Sequence, residues 1–336
     1  MKKILAVLTG GTIGSSMKDG IISADGGSSA LEAYRKKYGD DTEFTVCRPM
    51  NILSENLNKR HWELLINKLL SMSFDGYDGI IITHGSDTLS YSSAMLSMCL
   101  SGIRKPVVIT ASNLIPAHPD SNAAVDLRAA VVMINSFSRG VFTVYKNPDD
   151  EYCSVYIPTR IREADRYRGS FSGFEGRPFG RIENDSFVRL SDDPSITDIE
   201  RHEPYITLPD GISFRRDVML LRPYPSMRYD DIVLRDDTCA VLQITYHSST
   251  ACSEPDNSAL SLLLRCREKG IPFYMASFPK DSSSMYETSD ILLKNGALPM
   301  YDISDEAAYA RLLLYYSLGL SGKLSSLPDF YFETVK

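Results

Sequence analysis

Two stretches of this sequence place hydroxyl groups where a nucleophile can work. Thr9-Gly10-Gly11-Thr12-Ile13-Gly14 follows the apolar run from Ile4 to Leu8, and Thr83-His84-Gly85-Ser86-Asp87-Thr88 follows the run from Gly79 to Ile82. Each reads as a buried strand that ends in a Gly-permitted turn carrying hydroxyls. In open α/β sheets, chemistry gathers just outside the carboxyl ends of strands. Two such turns can therefore face each other across one cleft. The chemistry this implies is nucleophilic attack by Thr or Ser, rather than by Cys or a metal-bound water.

The glycines of the first turn permit φ > 0 and let a ligand approach the main chain closely. Amides exposed by the turn suit an anion, either a substrate carboxylate or an oxyanion, with the Thr12 hydroxyl in that field. A nucleotide-phosphate loop and a purely structural tight turn are the other readings. The spacing fits neither the dinucleotide fingerprint nor the P-loop, which needs Gly-Lys-Ser/Thr. In the second turn, Ser86 stands beside the carboxylate of Asp87, which can bind an ammonium or orient a base. Taken alone, this turn reads more simply as a cap, with Ser86 or Asp87 capping a helix that starts near Thr88. His84, taken alone, reads as a packed or hydrogen-bonded histidine.

The elements that must position these turns follow from the hydropathy pattern. Strands are predicted at Lys3 to Leu8, Phe44 to Arg48, Gly79 to Thr83, Pro106 to Thr110 and Gly140 to Tyr145. Helices are predicted at Ser29 to Tyr38, Lys59 to Ser71, Tyr91 to Leu100 and Ser121 to Phe137, with Trp62, Leu65, Ile66 and Leu69 on one face of the second. This βαβα order implies a parallel sheet covered on both faces, Rossmann- or flavodoxin-like. A stretch rich in Asp, Ser, Pro and Arg then lacks periodicity and reads as a linker. Strands at Val218 to Arg222, Ala240 to Thr245 and Pro272 to Ala276, and helices at Leu260 to Lys269 and Asp305 to Leu318, complete a second, smaller α/β domain. The expected division is 1–185, linker 186–215, and 216–336.

Length and composition narrow the function. At 336 residues the chain fits two domains, and 43% apolar residues fill two cores. A net charge of -7 with no dominant Lys/Arg cluster argues against a nucleic-acid partner. The apolar run at the start breaks at Thr9-Gly10-Gly11, too short for a signal peptide. No stretch approaches membrane-spanning length. The six cysteines are scattered without paired spacing, so neither a zinc site nor a disulfide framework is suggested, and a cytoplasmic protein with reduced thiols is expected.

The two turns, in this order and at this spacing, resemble those of the bacterial-type L-asparaginases, two-domain amidohydrolases with Thr nucleophiles. The resemblance spans nearly the whole chain. It includes Pro106-Val107-Val108-Ile109-Thr110, Thr159-Arg160-Ile161-Arg162 and Met285-Tyr286-Glu287-Thr288. It implies Thr12 as nucleophile, Ser86 in place of a second Thr, and Asp87 beside it. It also implies that Ser54 and Glu55 hold the substrate's α-carboxylate and α-ammonium, that Ser112 lines the amide end, and that Gly11 and Gly85 belong to the substrate pocket. Departures accompany the match. The family's activating Lys corresponds here to Arg162 or Glu163, depending on a one-residue gap. Arg stays protonated, so Arg162 can orient Asp87 but not accept a proton. Glu163 can act as a base if it reaches Ser86. The family's lid Tyr falls near Gly20-Ile21-Ile22, where no residue has a hydroxyl. Glu55 replaces an amide, Ala111 a Gly and Asp126 an Asn.

The resulting expectation is an enzyme that hydrolyses the side-chain amide of L-asparagine or a related amino-acid amide through an acyl-enzyme, with no cofactor and no metal. Its alternatives are a related amidase with another substrate, and a catalytically weak amino-acid-binding or regulatory protein on the same scaffold. The resemblance further implies a homodimer or homotetramer with sites between subunits, and a small-molecule partner rather than a membrane. An archaeal-type tRNA amidotransferase subunit is disfavoured because the first strand already begins at Lys3. The basic run Arg160, Arg162, Arg166 and Arg168 reads more readily as a solvated stretch than as a substrate patch.

Overall fold

The computed structural model describes residues 2–24, 28–280 and 284–335. The chain divides into two compact units, Met1–Ile212 with Phe330–Phe332, and Ser213–Asp329 with Glu333–Lys336.

The first unit contains, in order, β1 (Lys2–Leu8), β2 (Ser15–Lys18), β3 (Ile21–Ala24), α1 (Ser29–Tyr38), β4 (Thr42–Cys47), α2 (Lys59–Leu70), β5 (Gly79–Thr83) and α3 (Leu89–Leu100). It continues with β6 (Pro106–Thr110), α4 (Ala123–Ser136), β7 (Gly140–Tyr145), β8 (Cys153–Tyr156), β9 (Gly180–Glu183), β10 (Ser186–Arg189) and α5 (Ile196–Arg201). Every residue of β5, β6 and β7 is buried, as expected for central strands of a parallel sheet covered on both faces. α2 buries Trp62, Leu65, Ile66 and Leu69, the face predicted from spacing, and opens with a reciprocal Asn58–His61 capping box.

Eight strands form one sheet in the order β10-β9-β8-β7-β6-β5-β1-β4. From β7 to β4 all pairings are parallel; β8, β9 and β10 join antiparallel. Within the parallel part, the chain starts at β1, steps outward to β4, then crosses to β5 and continues through β6 and β7. The order therefore reverses between β1 and β5. This is the topological switch point of a flavodoxin-like sheet, where a crevice opens outside the carboxyl ends of the strands.

The second unit contains β11 (Asp217–Leu221), β12 (Thr238–Ile244), α6 (Ala259–Glu268), β13 (Phe273–Phe278), α7 (Glu287–Lys294), β14 (Leu298–Tyr301) and α8 (Asp305–Ser317). Its four strands pair in chain order, all parallel. Its core gathers Leu262, Leu263 and Cys266 of α6 against Val241, Phe273 and Met275.

The stretch 186–215, predicted as a linker, holds a strand and a helix. β10 pairs with β9 through a turn in which Asn184 and Asp185 take positive φ, 49° and 57°. Ser195 caps α5 by accepting the Asp198 amide, and the first unit runs on to Ile212. The Asp/Ser-rich composition thus marks a hairpin turn and a capped short helix. Phe330–Phe332 also belongs to the first unit. There the Tyr331 hydroxyl accepts the Val141 amide at 2.7 Å and donates to the Val141 carbonyl at 3.0 Å.

Candidate active site

Three chain segments meet at the switch point. β1 runs into the first turn, β5 into the second, and the segment after β4 supplies Ile52 to Glu55. The ends of β1 and β5 are pinned together by Thr9, whose buried hydroxyl donates to the Thr83 carbonyl at 2.7 Å. The third segment is zipped to the first turn: the Ile52 amide donates to Thr9 O at 3.0 Å, and the Gly11 amide to Ile52 O at 2.8 Å.

Glycine is required where these segments touch. Gly11 has φ of 71°, and a Cβ there would lie 2.4 Å from the Cα and N of Gly85. A Cβ on Gly85 would lie 2.4 Å from the Cβ and Oγ of Ser54. Thr12 and Ser86 each follow one of these touching glycines, and both are half-buried. Thr12 begins a short 3₁₀ turn, Thr12–Gly14. Within it the Gly14 amide is taken by Gly11 O, and the Ser15 hydroxyl also donates to Gly11 O, at 2.7 Å. The Gly11 amide is spent on Ile52. Among the described residues, the amides of Thr12 and Ile13 make no hydrogen bond, so they are the donors this turn can offer an anion.

Ser54 is buried and its Oγ donates to Asp87 Oδ2 at 3.2 Å, while the Thr88 hydroxyl donates to Ser54 O at 3.0 Å. The helix-cap alternative for the second turn is not what the chain adopts. Neither Gly85, before the 3₁₀ turn Ser86–Thr88, nor Thr88, before α3, makes a side-chain cap bond. Asp87 instead reaches 33 residues back to Ser54. Glu55 is exposed beside it. Ser112 is buried and its hydroxyl donates to Leu114 O at 2.8 Å.

Arg162 and Glu163 stand on a separate arm. After β8 the chain pairs Ile161 with Gly173 antiparallel, and the Arg162 amide donates to Ser172 O. The arm returns to the carboxyl end of β7, where Asn147 clasps Phe171: the Phe171 amide donates to Asn147 Oδ1 at 2.9 Å, and Asn147 Nδ2 to Phe171 O at 3.1 Å. Both arm side chains are exposed. The arm thus joins the carboxyl end of β7, which lies two strands from β5 in the sheet. Arg160, grouped by composition with the basic run, is buried and pairs with Glu175 at 2.8 Å and Asp193 at 2.9 Å.

Two further titratable groups are deeply buried. Asp126 in α4 accepts the Lys146 amide at 2.7 Å and the Cys153 thiol at 3.3 Å through Oδ1, and its Oδ2 is buried without a partner among the described residues. Burial holds the Asp126 carboxyl well above the usual range and pushes the Cys153 thiol up. His84 is 1% exposed, and burial lowers its pKa. Thr9 and Thr88, which pin the turns, are missing from the sequence-derived site. Their signal was a hydroxyl immediately flanking each turn. Among the described residues, no group of three His, Cys, Asp or Glu is placed to hold a metal.

Comparison with known proteins adds kinship. A family model described as Asparaginase, N-terminal, matches residues 3–193. The sequence is 26% identical to a glutamyl-tRNA(Gln) amidotransferase subunit from Methanosphaera stadtmanae, over 98% of this chain and 75% of that protein. It is 27% identical to the corresponding protein of Thermococcus kodakarensis, over 90% of this chain and 69% of that one. Among solved structures, the thermostable L-asparaginase from T. kodakarensis superposes with a TM-score of 0.74 at 23% identity, covering 99% of each chain. L-asparaginase I from Vibrio cholerae gives 0.75 at 20% identity, covering 100% of this chain and 99% of that one. At these identities the structural likeness is one of fold.

Proposed function

The chain belongs to the asparaginase family, and on that footing we propose that it is an amidohydrolase that opens the side-chain amide of L-asparagine or a related amino-acid amide with Thr12. The observation that carries this reading is the meeting of the Thr12 and Ser86 turns at the switch point, with Gly11 and Gly85 too close for any Cβ. Thr12 Oγ attacks the amide carbon, and the tetrahedral oxyanion is held by turn amides such as those of Thr12 and Ile13. Ammonia leaves with the proton drawn from Thr12. Water then hydrolyses the ester, freeing the acid and restoring the hydroxyl. Ser54, Glu55 and Asp87 take the amino-acid end, Ser112 the amide end, and Ser86 assists at the reacting carbon. Arg162 and Glu163 occupy the arm in place of the family's Lys; of the two, Glu163 is the group able to take a proton. The reading includes a homodimer or homotetramer and a cytoplasmic setting, the latter in keeping with six cysteines scattered without paired spacing.

The test is ammonia release from purified protein across a panel of amides: L-asparagine, L-glutamine, and both with the α-carboxylate blocked. Release from at least one, saturable in substrate, is expected; none across the panel overturns the reading. A second reading is favoured by one observation, the 26% and 27% identity to amidotransferase subunits over nine-tenths or more of the chain. In that case the same Thr12 chemistry releases ammonia for a partner protein, and turnover of free amides rises when the partner is supplied.

A further inference from the structure

His84 stands one residue past β5, and its amide still donates to Thr110 O of β6 at 2.8 Å. Its ring is wholly enclosed, with Nδ1 2.9 Å from the carbonyl of Gly85. A carbonyl only accepts, so Nδ1 carries the proton and Nε2 bears a lone pair. That Nε2 is buried without a partner among the described residues. An orphaned buried acceptor typically costs about 1–3 kcal/mol. An apolar ring would avoid that cost in a purely structural role, but it would also lose the bond to Gly85. Gly85 is the peptide against which Gly11 and Ser54 both rest.

Resting on the amidohydrolase reading, we propose that His84 is a positioning residue: its Nδ1–H clamps the Gly85 carbonyl and so fixes the peptide on which the Thr12, Ser54 and Ser86 segments converge. The clamp needs the neutral ring in one tautomer. A protonated ring would bring an unpaired charge into an enclosed site. His84 therefore neither donates nor accepts a catalytic proton. It holds the second turn in register with the first.

The test pairs His84→Asn with His84→Leu. An Asn side-chain amide stands where Nδ1 does and can still donate to Gly85 O; Leu fills the space without a donor. Turnover in His84→Leu should fall on the order of 100-fold, the usual effect of a misplaced catalytic group. His84→Asn should recover most of it, at a comparable melting temperature for both variants. Equal turnover in the two variants overturns the proposal. A second measurement does not depend on amide turnover. Imidazole ¹⁵N shifts, read among the five histidines, should show the His84 proton fixed on Nδ1 between about pH 5 and 8. A ring that titrates in that window overturns the clamp even if the protein hydrolyses no amide. A fixed tautomer in a protein inactive on amides upholds the clamp and counts only against the amidohydrolase reading.

Discussion

At the scale of single residues, the proposed function gives Glu55 a part in substrate choice that can be tested. By the resemblance, Glu55 replaces an amide; it follows Ser54, whose hydroxyl donates to Asp87. At an exposed position, two unit charges about 4 Å apart interact by about 1 kcal/mol, the value in bulk water. Glu55 should therefore repel the α-carboxylate of free L-asparagine and favour a substrate whose carboxylate is masked or that carries extra positive charge. Glu55→Gln should raise kcat/KM for L-asparagine severalfold, a change of about 1 kcal/mol. No gain, with efficient turnover already in the unmodified protein, returns L-asparagine as the natural substrate. Asp87→Asn should weaken amino-acid ligand binding far more than it lowers the melting temperature; the opposite pattern would make Asp87 a structural residue. Much of this was legible because glycine and hydroxyl residues sit directly after apolar runs. The Ser54–Asp87 bond was not, because no local spacing announces a contact between residues 33 apart.

At the scale of elements, α4 packs a buried carboxylate against the β7–β8 hairpin. Burial raises the pKa of Asp126 well above its unfolded value of about 3.9. Between those two values the unfolded chain has released a proton that the folded chain retains, so Asp126 erodes stability as pH rises through that window. Asp126→Asn removes this titration. The melting temperature of the Asn variant relative to the parent should rise as pH is raised above about 4, and parallel curves would contradict it. The arm carries another prediction. Glu163→Gln should lower turnover by about a hundredfold if Glu163 is the base. Arg162→Lys should raise turnover if that position is the family's lysine. No response to either change places the base elsewhere. The central strands β5, β6 and β7 were legible from short apolar runs that are buried throughout. The β9–β10 hairpin was not, because its strands are four residues each and β10 is largely exposed.

At the scale of the whole molecule, the switch point between β1 and β5 was implied by the βαβα order, but its location was not. It depends on which strand lies beside which, and sequence order alone leaves that open. The return of Phe330–Phe332 to the first unit was also invisible to a linear reading. The homo-oligomer reading predicts a sedimentation mass that is a multiple of the 37.5 kDa chain, with specific activity that falls on dilution if each site is completed by a neighbour. The activity predictions rest on one claim, that Thr12 is the nucleophile of an amide-cleaving enzyme. The most direct test is ammonia release by the parent protein and by Thr12→Ala, side by side, on the best amide of the panel, with folding of the variant verified by its melting temperature. The account predicts release by the parent and loss of nearly all of it in a folded Thr12→Ala protein. Near-parental release by that variant would contradict it.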